Sequence, residues 1–219
     1  SRIAPSGGPK DTRPPEVTRV YPANESTQFS GEQISFDFSE YIQIKDGGTG
    51  ILISPPLAIP PLVSVVGKSV HIKFREKLAQ NTTYTVLIGY SVSDLTEGNA
   101  LKEYSLVFST GTQLDSLSLR GTVVDAFTMK PLAGILVMLY PQWNDSLPAK
   151  TIPMKLARTD ASGNYQITHV PEASYMVFSL DDKNHNFRFD LPEERIGFVD
   201  TLVNIRPGLE PTINLRLSE

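Results

Sequence analysis

The sequence predicts an all-β fold in which two tandem β-sandwiches follow an extended N-terminal tether. Short runs of Val, Ile, Tyr and Phe recur along the chain, with apolar and polar residues in strict alternation, which is typical of half-buried strands. Turn-forming residues separate these runs, with 17 Pro and 15 Gly in 219 residues. No apolar stripe of helical period and useful length is present. The length and the 40% hydrophobic content suffice for two domains of about a hundred residues each.

Residues 1–13 predict the extended tether. The string "SRIAPSGGPKDTRPP" at the start of the chain shows no hydrophobic period. Its prolines lack the backbone N–H that helices and strand ladders use, and its Gly-Gly pair favours irregular backbone. Regular secondary structure is therefore expected only after this segment.

Residues 14–112 predict the first sandwich. In "QISFDFS" the apolar residues Ile34, Phe36 and Phe38 alternate with polar ones, so their side chains are expected to point into a core. About seven strands fit in this range, the number expected of such a sandwich. The clearest strand candidates are VTRVYP, QISFDFS, ILIS, VHIKF, YTVLIGY and YSLVFST.

Residues 116–219 predict the second sandwich, after a short break in "GTQLDS" at residues 111–116. About seven strands are again expected in roughly a hundred residues. The candidates are LSLRGTVVD, GILVMLY, KLART, GNYQITHV, YMVFSLDD, IGFVDTLVNI and TINLRLS. The two halves share no repeated motif, so two different sandwiches are expected.

Charge and composition exclude several classes of protein. The net charge of −4 and the pI near 5.5 give no basic face, which argues against a nucleic-acid partner. The absence of Cys removes disulfides, thiolate metal sites and Cys nucleophiles. No apolar run approaches the roughly 20 residues of a membrane helix.

The string "DDKNHNFRFDLPEE" at residues 181–194 is the strongest candidate for a ligand site. Oxygen-bearing side chains alternate along it, and such side chains can converge on a calcium ion when the backbone curls around it. In the numbering of a 12-residue calcium loop, the ligands at positions 1, 3, 5, 7, 9 and 12 would be Asp182, Asn184, Asn186, the backbone carbonyl of Arg188, Asp190 and Glu193.

Two features favour the alternative, a polar turn without metal. Position 6 is Phe187, where a calcium loop has Gly for a sharp turn. Lys183, Arg188 and Arg195 also offset much of the local negative charge. Asn and Asp side chains can instead bond their own backbone in a solvated turn. A calcium loop and an Asx-rich turn both remain open at this point.

Other reactive constellations are weak. His71 and His169 lie within predicted strands, and His185 lies in the polar loop without a second His at zinc-ligand spacing. Asp94 and Glu97 flank a predicted hairpin turn. No nucleophile elbow, phosphate loop or dinucleotide fingerprint occurs, so the chain is not expected to be an enzyme.

Trp143, in "YPQWNDSLP", offers a different function. A Trp in a polar loop outside the strand pattern can stack on a sugar or anchor a protein partner. It can also fold back over its own domain, and the sequence leaves both alternatives open.

The chain resembles Bacteroidota outer-membrane lipoproteins in three stretches. "PSGGPKDTRPP" is similar to the tether that follows the lipidated Cys in a family of envelope proteins of that group. Residues 14–111 resemble a bacterial Ig-like domain of the SbsA type, on strings such as "LAQNTTYTVLIGYSVSDLTEGNALKEYSLVFSTG". Residues 117–219 resemble a carboxypeptidase-regulatory-like domain, a transthyretin-type sandwich, on "LRGTVVDAFTMKPLAGILVMLY" and "TDASGNYQITHVPEASYMVFSL".

The resemblance implies an anchor and a location. A lipidated Cys upstream of Ser1 would hold the chain at the outer membrane. No acidic run follows at "SRIAPSGG", so the periplasmic face is favoured over the cell surface. "DKNHNFRFD" also matches that family's D-x-N-x-N-x-x-x-D string at Asp182, Asn184, Asn186 and Asp190.

Together these observations predict a non-enzymatic scaffold or adaptor of the cell envelope. Its expected partners are one or more envelope proteins. No cofactor is established by the sequence, and Ca²⁺ is the candidate ion if residues 181–194 form a calcium loop and not a polar turn. The alternatives are a carbohydrate-binding surface module that uses Trp143 to bind a glycan, and an accessory domain of an enzyme.

Overall fold

Nearly all regular structure in the protein is β-strand. The computed structural model describes residues 9–141 and 146–218. Strands of the first half are β1 Val17–Tyr21, β2 Gln33–Phe38, β3 Ile42–Ile44, β4 Leu52–Ser54, β5 Leu62–Val66, β6 Ser69–Lys73, β7 Thr83–Ile88, β8 Val92–Asp94 and β9 Tyr104–Ser109. Strands of the second half are β10 Leu117–Asp125, β11 Leu136–Tyr140, β12 Lys155–Arg158, β13 Asn164–Val170, β14 Ala173–Leu180, β15 Ile196–Phe198, β16 Val203–Ile205 and β17 Leu215–Leu217. Two short helical turns accompany them, a 3-10 turn at Asp46–Gly48 and α1 at Leu147–Lys150.

The first sandwich packs two antiparallel sheets over one core. One sheet has the strand order β1-β2-β6-β5, the other has the order β4-β7-β9, and β3 pairs with β8 beside them. Ile34, Phe36 and Phe38 of β2 are all buried, so the inward alternation predicted for this strand is confirmed. Tyr84 and Val86 of β7 approach the same core from the opposite sheet. Apolar side chains on alternate residues therefore hold the two sheets together.

The second sandwich has a sheet that is buried on both faces. The sheet β13-β10-β17 packs on one side of the sheet β12-β11-β14-β15, and β16 also pairs with β14. Along β14, Tyr175 and Val177 enter the core between these sheets, whereas Met176 and Phe178 enter a separate apolar cluster on the other face. All five residues of β11 are buried for the same reason.

This separate apolar cluster, here called the outer cluster, joins the two sandwiches. It contains side chains of β11, β12 and β14, the partly buried Phe187 and Phe189 of the following loop, and Leu52 and Leu87 from the first sandwich. The outer face of the second sandwich is thus covered partly by its own loop and partly by β4 and β7. Burial of this shared apolar surface favours one fixed arrangement of the halves.

The prediction of an all-β fold with tandem sandwiches is confirmed. Within the described ranges, no strand of residues 17–109 pairs with a strand of residues 117–217. The boundaries at residues 112 and 116 remain predictions. The end of the predicted tether is described from residue 9, and the Asn99 side-chain amide donates to the carbonyl oxygens of Asp11 and Arg13 at 3.1 and 3.2 Å. None of the helices in the described part of the chain has the length and apolar character needed to cross a membrane.

Candidate functional site

The polar loop predicted from the sequence connects β14 to β15 and curls around the carboxylate of Asp182. Asp182 Oδ1 accepts a hydrogen bond from the Asn186 N–H at 3.2 Å, and Asp182 Oδ2 accepts one from the Phe187 N–H at 3.0 Å. These bonds satisfy two backbone donors at the tightest part of the turn. The first residue of the predicted calcium loop is therefore the hub of the loop's local structure.

Asp190 closes the loop from its other end. Its Oδ1 accepts a hydrogen bond from Asn184 Nδ2 at 3.0 Å, and its Oδ2 accepts one from Asn186 Nδ2 at 2.7 Å. The Asn186 side-chain oxygen in turn accepts the Arg188 N–H at 2.8 Å. The structure thus brings together Asp182, Asn184, Asn186 and Asp190, which are four of the five predicted side-chain ligands.

A different glutamate from the predicted one is buried in the loop. Glu193 is exposed, whereas Glu194 is only 4% exposed. One carboxylate oxygen of Glu194 accepts the Lys183 N–H at 3.0 Å, and the other accepts the N–H groups of Asp190 and Leu191 at 3.0 and 3.1 Å. Sequence reasoning missed Glu194, because adjacent glutamates carry no signal of which one points inward.

Phe187 explains why the loop lacks the expected glycine. Its φ of +62° is the left-handed conformation that Gly usually adopts at this position. A non-glycine residue in this conformation costs about 1–2 kcal/mol. The Phe187 ring packs against the outer cluster, and the N–H of the neighbouring Phe189 donates to the carbonyl of Pro148 at 2.8 Å. Ring burial offsets the backbone cost, so the loop also serves as an apolar cover for the second sandwich.

A small ionic network ties the loop to the neighbouring β10 turn. Arg195 pairs with Asp125 at 3.1 Å and with Asp181 at 3.4 Å, and Lys183 pairs with Asp181 at 2.8 Å. Hydrogen bonds from the N–H groups of Thr128 and Phe127 lower the pKa of Asp125, and the charge of Arg195 lowers it further. The network keeps the ends of the loop in register with β10.

Asp182 also lies in the field of a half-buried arginine. Burial lowers the pKa of Arg158 from its ordinary value, whereas the negative charge of Asp182 raises it. A positive charge at this position offsets part of the negative charge of the loop. The positive charge of Arg158 would therefore repel any cation bound by Asp182.

The donor set of the loop is poor in carboxylates for a metal site. Within the described residues, no three His, Cys, Asp or Glu side chains are grouped so that they could hold a metal ion. The loop gathers two carboxylates, Asp182 and Asp190, and two amides, Asn184 and Asn186. Calcium accepts amide and backbone carbonyl oxygens, so a site here would depend on the two asparagines turning their oxygens inward. The calcium site stays a prediction.

The remaining candidates are separate structural features. The Asp94 carboxylate accepts the N–H groups of Glu97, Gly98 and Asn99 and so caps the turn. Burial raises the pKa of Asp94, but these N–H donors lower it more strongly, so its net pKa lies below the ordinary value. This geometry supports a structural turn. Trp143 lies outside the described residues.

The histidines contact local polar neighbours. His71 Nδ1 lies 3.1 Å from the side-chain nitrogen of Gln33, and His169 Nδ1 lies 3.0 Å from the hydroxyl of Thr168. His185 is exposed in the loop. Burial lowers the pKa of His169, as expected for an imidazole held partly away from water.

Comparison with known proteins supports the fold of the first half. Residues 11–110 match the family model Big_5, described as a bacterial Ig-like domain. The resemblance of this half to a bacterial Ig-like domain is therefore confirmed. The carboxypeptidase-regulatory-like assignment, the Bacteroidota origin and the lipid anchor remain predictions. No curated protein matches the chain.

Several solved structures are distantly similar to the chain. A variant of BcpA, the major pilin subunit of Bacillus cereus, is 10% identical with a TM-score of 0.30, over 94% of this chain and 70% of that chain. An L,D-transpeptidase from Mycobacterium smegmatis is 13% identical with a TM-score of 0.32, over 70% of this chain and 79% of that chain. The N-terminal part of the bacterial S-layer protein SbsC is 13% identical with a TM-score of 0.31, over 86% of this chain and 40% of that chain. At these values the likeness carries no argument about function.

Proposed function

We propose that the chain is a non-enzymatic cell-envelope module that holds a protein partner at a fixed distance and angle. The observation that carries this proposal is the joint between the sandwiches. Lys155 is 1% exposed, and its ammonium group donates a hydrogen bond to the backbone carbonyl of Thr83 in the first sandwich. A buried amine with an acceptor on the other sandwich links β12 directly to β7.

Two further hydrogen bonds and an apolar contact support the same joint. The Leu156 N–H donates to the Ser54 hydroxyl at 3.1 Å, and the Asp115 N–H donates to the Thr83 hydroxyl at 2.9 Å. Leu52 and Leu87 pack in the outer cluster beside these bonds. Because the contacts reach two strands, β4 and β7, they resist both hinge bending and rotation about the linker. A rigid pair of sandwiches suits a spacer better than a flexible pair does.

The proposed docking surface is the free edge of β5. β5 is an end strand of its sheet, so alternate backbone N–H and C=O groups face outward without a strand partner among the described residues. Leu62 and Val66 are 55% and 65% exposed, and residues 51–67 contain no charged side chain. Charges are a common way to protect an edge strand from pairing. An uncharged apolar edge favours addition of a strand from a partner protein.

The location of the module is part of the same proposal. A lipidated Cys upstream of Ser1 would anchor it to the outer membrane of a bacterium of the Bacteroidota, with the periplasmic face favoured. A bacterial Ig-like domain in the first half supports an envelope role. The amide clamp of Asn99 on Asp11 and Arg13 would fix the point at which the tether leaves the first sandwich. Ca²⁺ bound in the loop between β14 and β15, residues 181–195, would stabilise the folded second sandwich by mass action.

Capture of envelope proteins with charge variants of the edge tests this function. The Leu62→Lys/Val66→Lys double variant should lose the partner that the wild-type chain retains from solubilised envelopes. The matched control is Phe127→Lys, which places a charge at a residue that is 83% exposed and far from β5 in sequence. Equal capture by the wild type and the double variant would contradict docking at β5. Equal loss in the control would show that the effect comes from added charge alone.

A further inference from the structure

A large cleft lies between the two sandwiches, apart from the β5 edge. Its volume is about 1170 Å³. Pockets for small ligands usually hold about 300–1000 Å³ and often lie between domains. One wall comes from β7 and the turn that follows it, and the other comes from β10, β13 and the end of β12. The size suits a ligand made of several linked units.

The wall of the second sandwich presents a row of polar side chains. Asn164, Gln166 and Thr168 lie on the outward face of β13, because strand residues alternate between faces. In the pairing with β10, Gln166 lies opposite Arg120, and Asn164 lies opposite Thr122. Each amide can donate two hydrogen bonds and accept others. The row can therefore match a ligand that both donates and accepts along its length.

The wall of the first sandwich adds an exposed aromatic ring. Tyr90 lines the same cleft and is 82% exposed. An aromatic ring held in water is a surface on which a flat apolar group can stack.

The charges of the cleft favour a neutral ligand. Its lining includes the cations Arg120 and Arg158 and the anions Asp46, Glu103 and Asp160. Because positive and negative groups nearly balance, the cleft offers no strong field for a highly charged polymer. Hydrogen bonding and stacking remain as the main sources of binding energy.

We propose that this cleft binds a neutral oligosaccharide. Sugar rings carry hydroxyls that donate and accept, and they also have apolar C–H faces. Tyr90 stacks on one such face, and Asn164 and Gln166 bond the hydroxyls. This site uses residues distinct from the β5 edge, so the sugar-binding proposal and the scaffold function are tested independently.

Affinity electrophoresis through gels that contain soluble neutral polysaccharides tests the site. The panel is laminarin, dextran, galactomannan and xyloglucan, and at least one of them should retard the wild-type chain. Tyr90→Ala and Gln166→Ala should each raise the Kd for that polysaccharide about tenfold, the loss of about 1.4 kcal/mol. Both changes are at exposed side chains, so the melting temperature should stay unchanged.

Phe127→Ala is the matched control, because Phe127 is 83% exposed and does not line the cleft. Its Kd should equal that of the wild type. Failure of every panel member to retard the wild-type chain would overturn the proposal. An unchanged Kd in both Tyr90→Ala and Gln166→Ala would also overturn it.

Discussion

Replacing the buried Lys155 by Met should remove a pH dependence of stability that is built into the joint. Burial lowers the pKa of Lys155 from 10.5 to about 8, and the nearby Asp115 acts in the opposite direction. A lysine in the unfolded chain keeps its ordinary pKa. At pH 7 the lowered pKa of Lys155 therefore reduces the free energy of unfolding by about 3 kcal/mol. The hydrogen bond to the Thr83 carbonyl stabilises the folded state by about 1.5–3 kcal/mol.

The sign of the pH effect follows from the lowered pKa. Between about pH 8 and 10.5 the unfolded amine binds a proton that the folded amine has released, so raising the pH stabilises the folded state. Raising the pH from 7 to 9 should contribute about 1.3 kcal/mol to the free energy of unfolding. The buried tyrosines Tyr140, Tyr165 and Tyr175 have raised pKa values, so they act only near pH 10 and above.

Urea denaturation at pH 7, 8 and 9 measures this effect. Across this range the free energy of unfolding of the wild-type chain should rise by about 1.3 kcal/mol more than that of Lys155→Met. At pH 7 the variant should lie within about 1.5 kcal/mol of the wild type, because the lost hydrogen bond and the removed desolvation nearly cancel. Lys130→Met, at an exposed lysine, is the control and should keep the wild-type slope. Parallel slopes for the wild type and Lys155→Met would refute the reasoning.

Two further predictions concern the 181–195 loop. Glu194→Gln should lower the free energy of unfolding by about 2 kcal/mol, because the amide cannot accept all three N–H donors, while Glu193→Gln should change it little. Urea denaturation of the two variants checks this, and equal effects would contradict it. Titration calorimetry should show calcium binding with a Kd of about 10⁻⁴–10⁻³ M that is lost in Asp182→Ala/Asp190→Ala. A flat trace at millimolar calcium would mean that the loop is a hydrogen-bonded turn.

The parts of the fold that depend on local pattern could be predicted from the sequence. The alternation of Ile34, Phe36 and Phe38 sets one face of β2 toward a core, and all three are buried. Turn chemistry separated the strands well enough to show two series of them. These features depend only on near neighbours in the chain.

The joint could not be predicted, because it depends on contacts between distant residues. Lys155 begins a predicted strand, and a charged side chain at a strand end is expected to face water. In the structure Lys155 lies opposite Leu139, on the face of the sheet that carries the core of the second sandwich, and its amine reaches the Thr83 carbonyl of the first sandwich. The apolar run of β11 likewise predicts a strand, but it does not show which surfaces cover its two faces.

The loop shows a mixed result for similar physical reasons. The spacing placed Asp182 and Asp190 in one candidate site, and the structure holds both in one hydrogen-bond network, since a tight turn has few ways to satisfy its N–H groups. Phe187 at the expected glycine position argued against a calcium loop. In the structure Phe187 adopts the left-handed backbone, and its partly buried ring packs against the outer cluster. A local sequence motif does not predict the packing of a side chain against a sheet that is distant in the sequence.

The most direct test of the central claim is a distance measurement between the two sandwiches. The chain contains no Cys, so spin labels at Lys73→Cys and Arg216→Cys, on exposed positions of β6 and β17, would be unique. Pulsed electron–electron double resonance should give one narrow distribution of the distance between the two labels, unchanged between pH 7 and 9. A broad or bimodal distribution would contradict a rigid joint and with it the proposed spacer function.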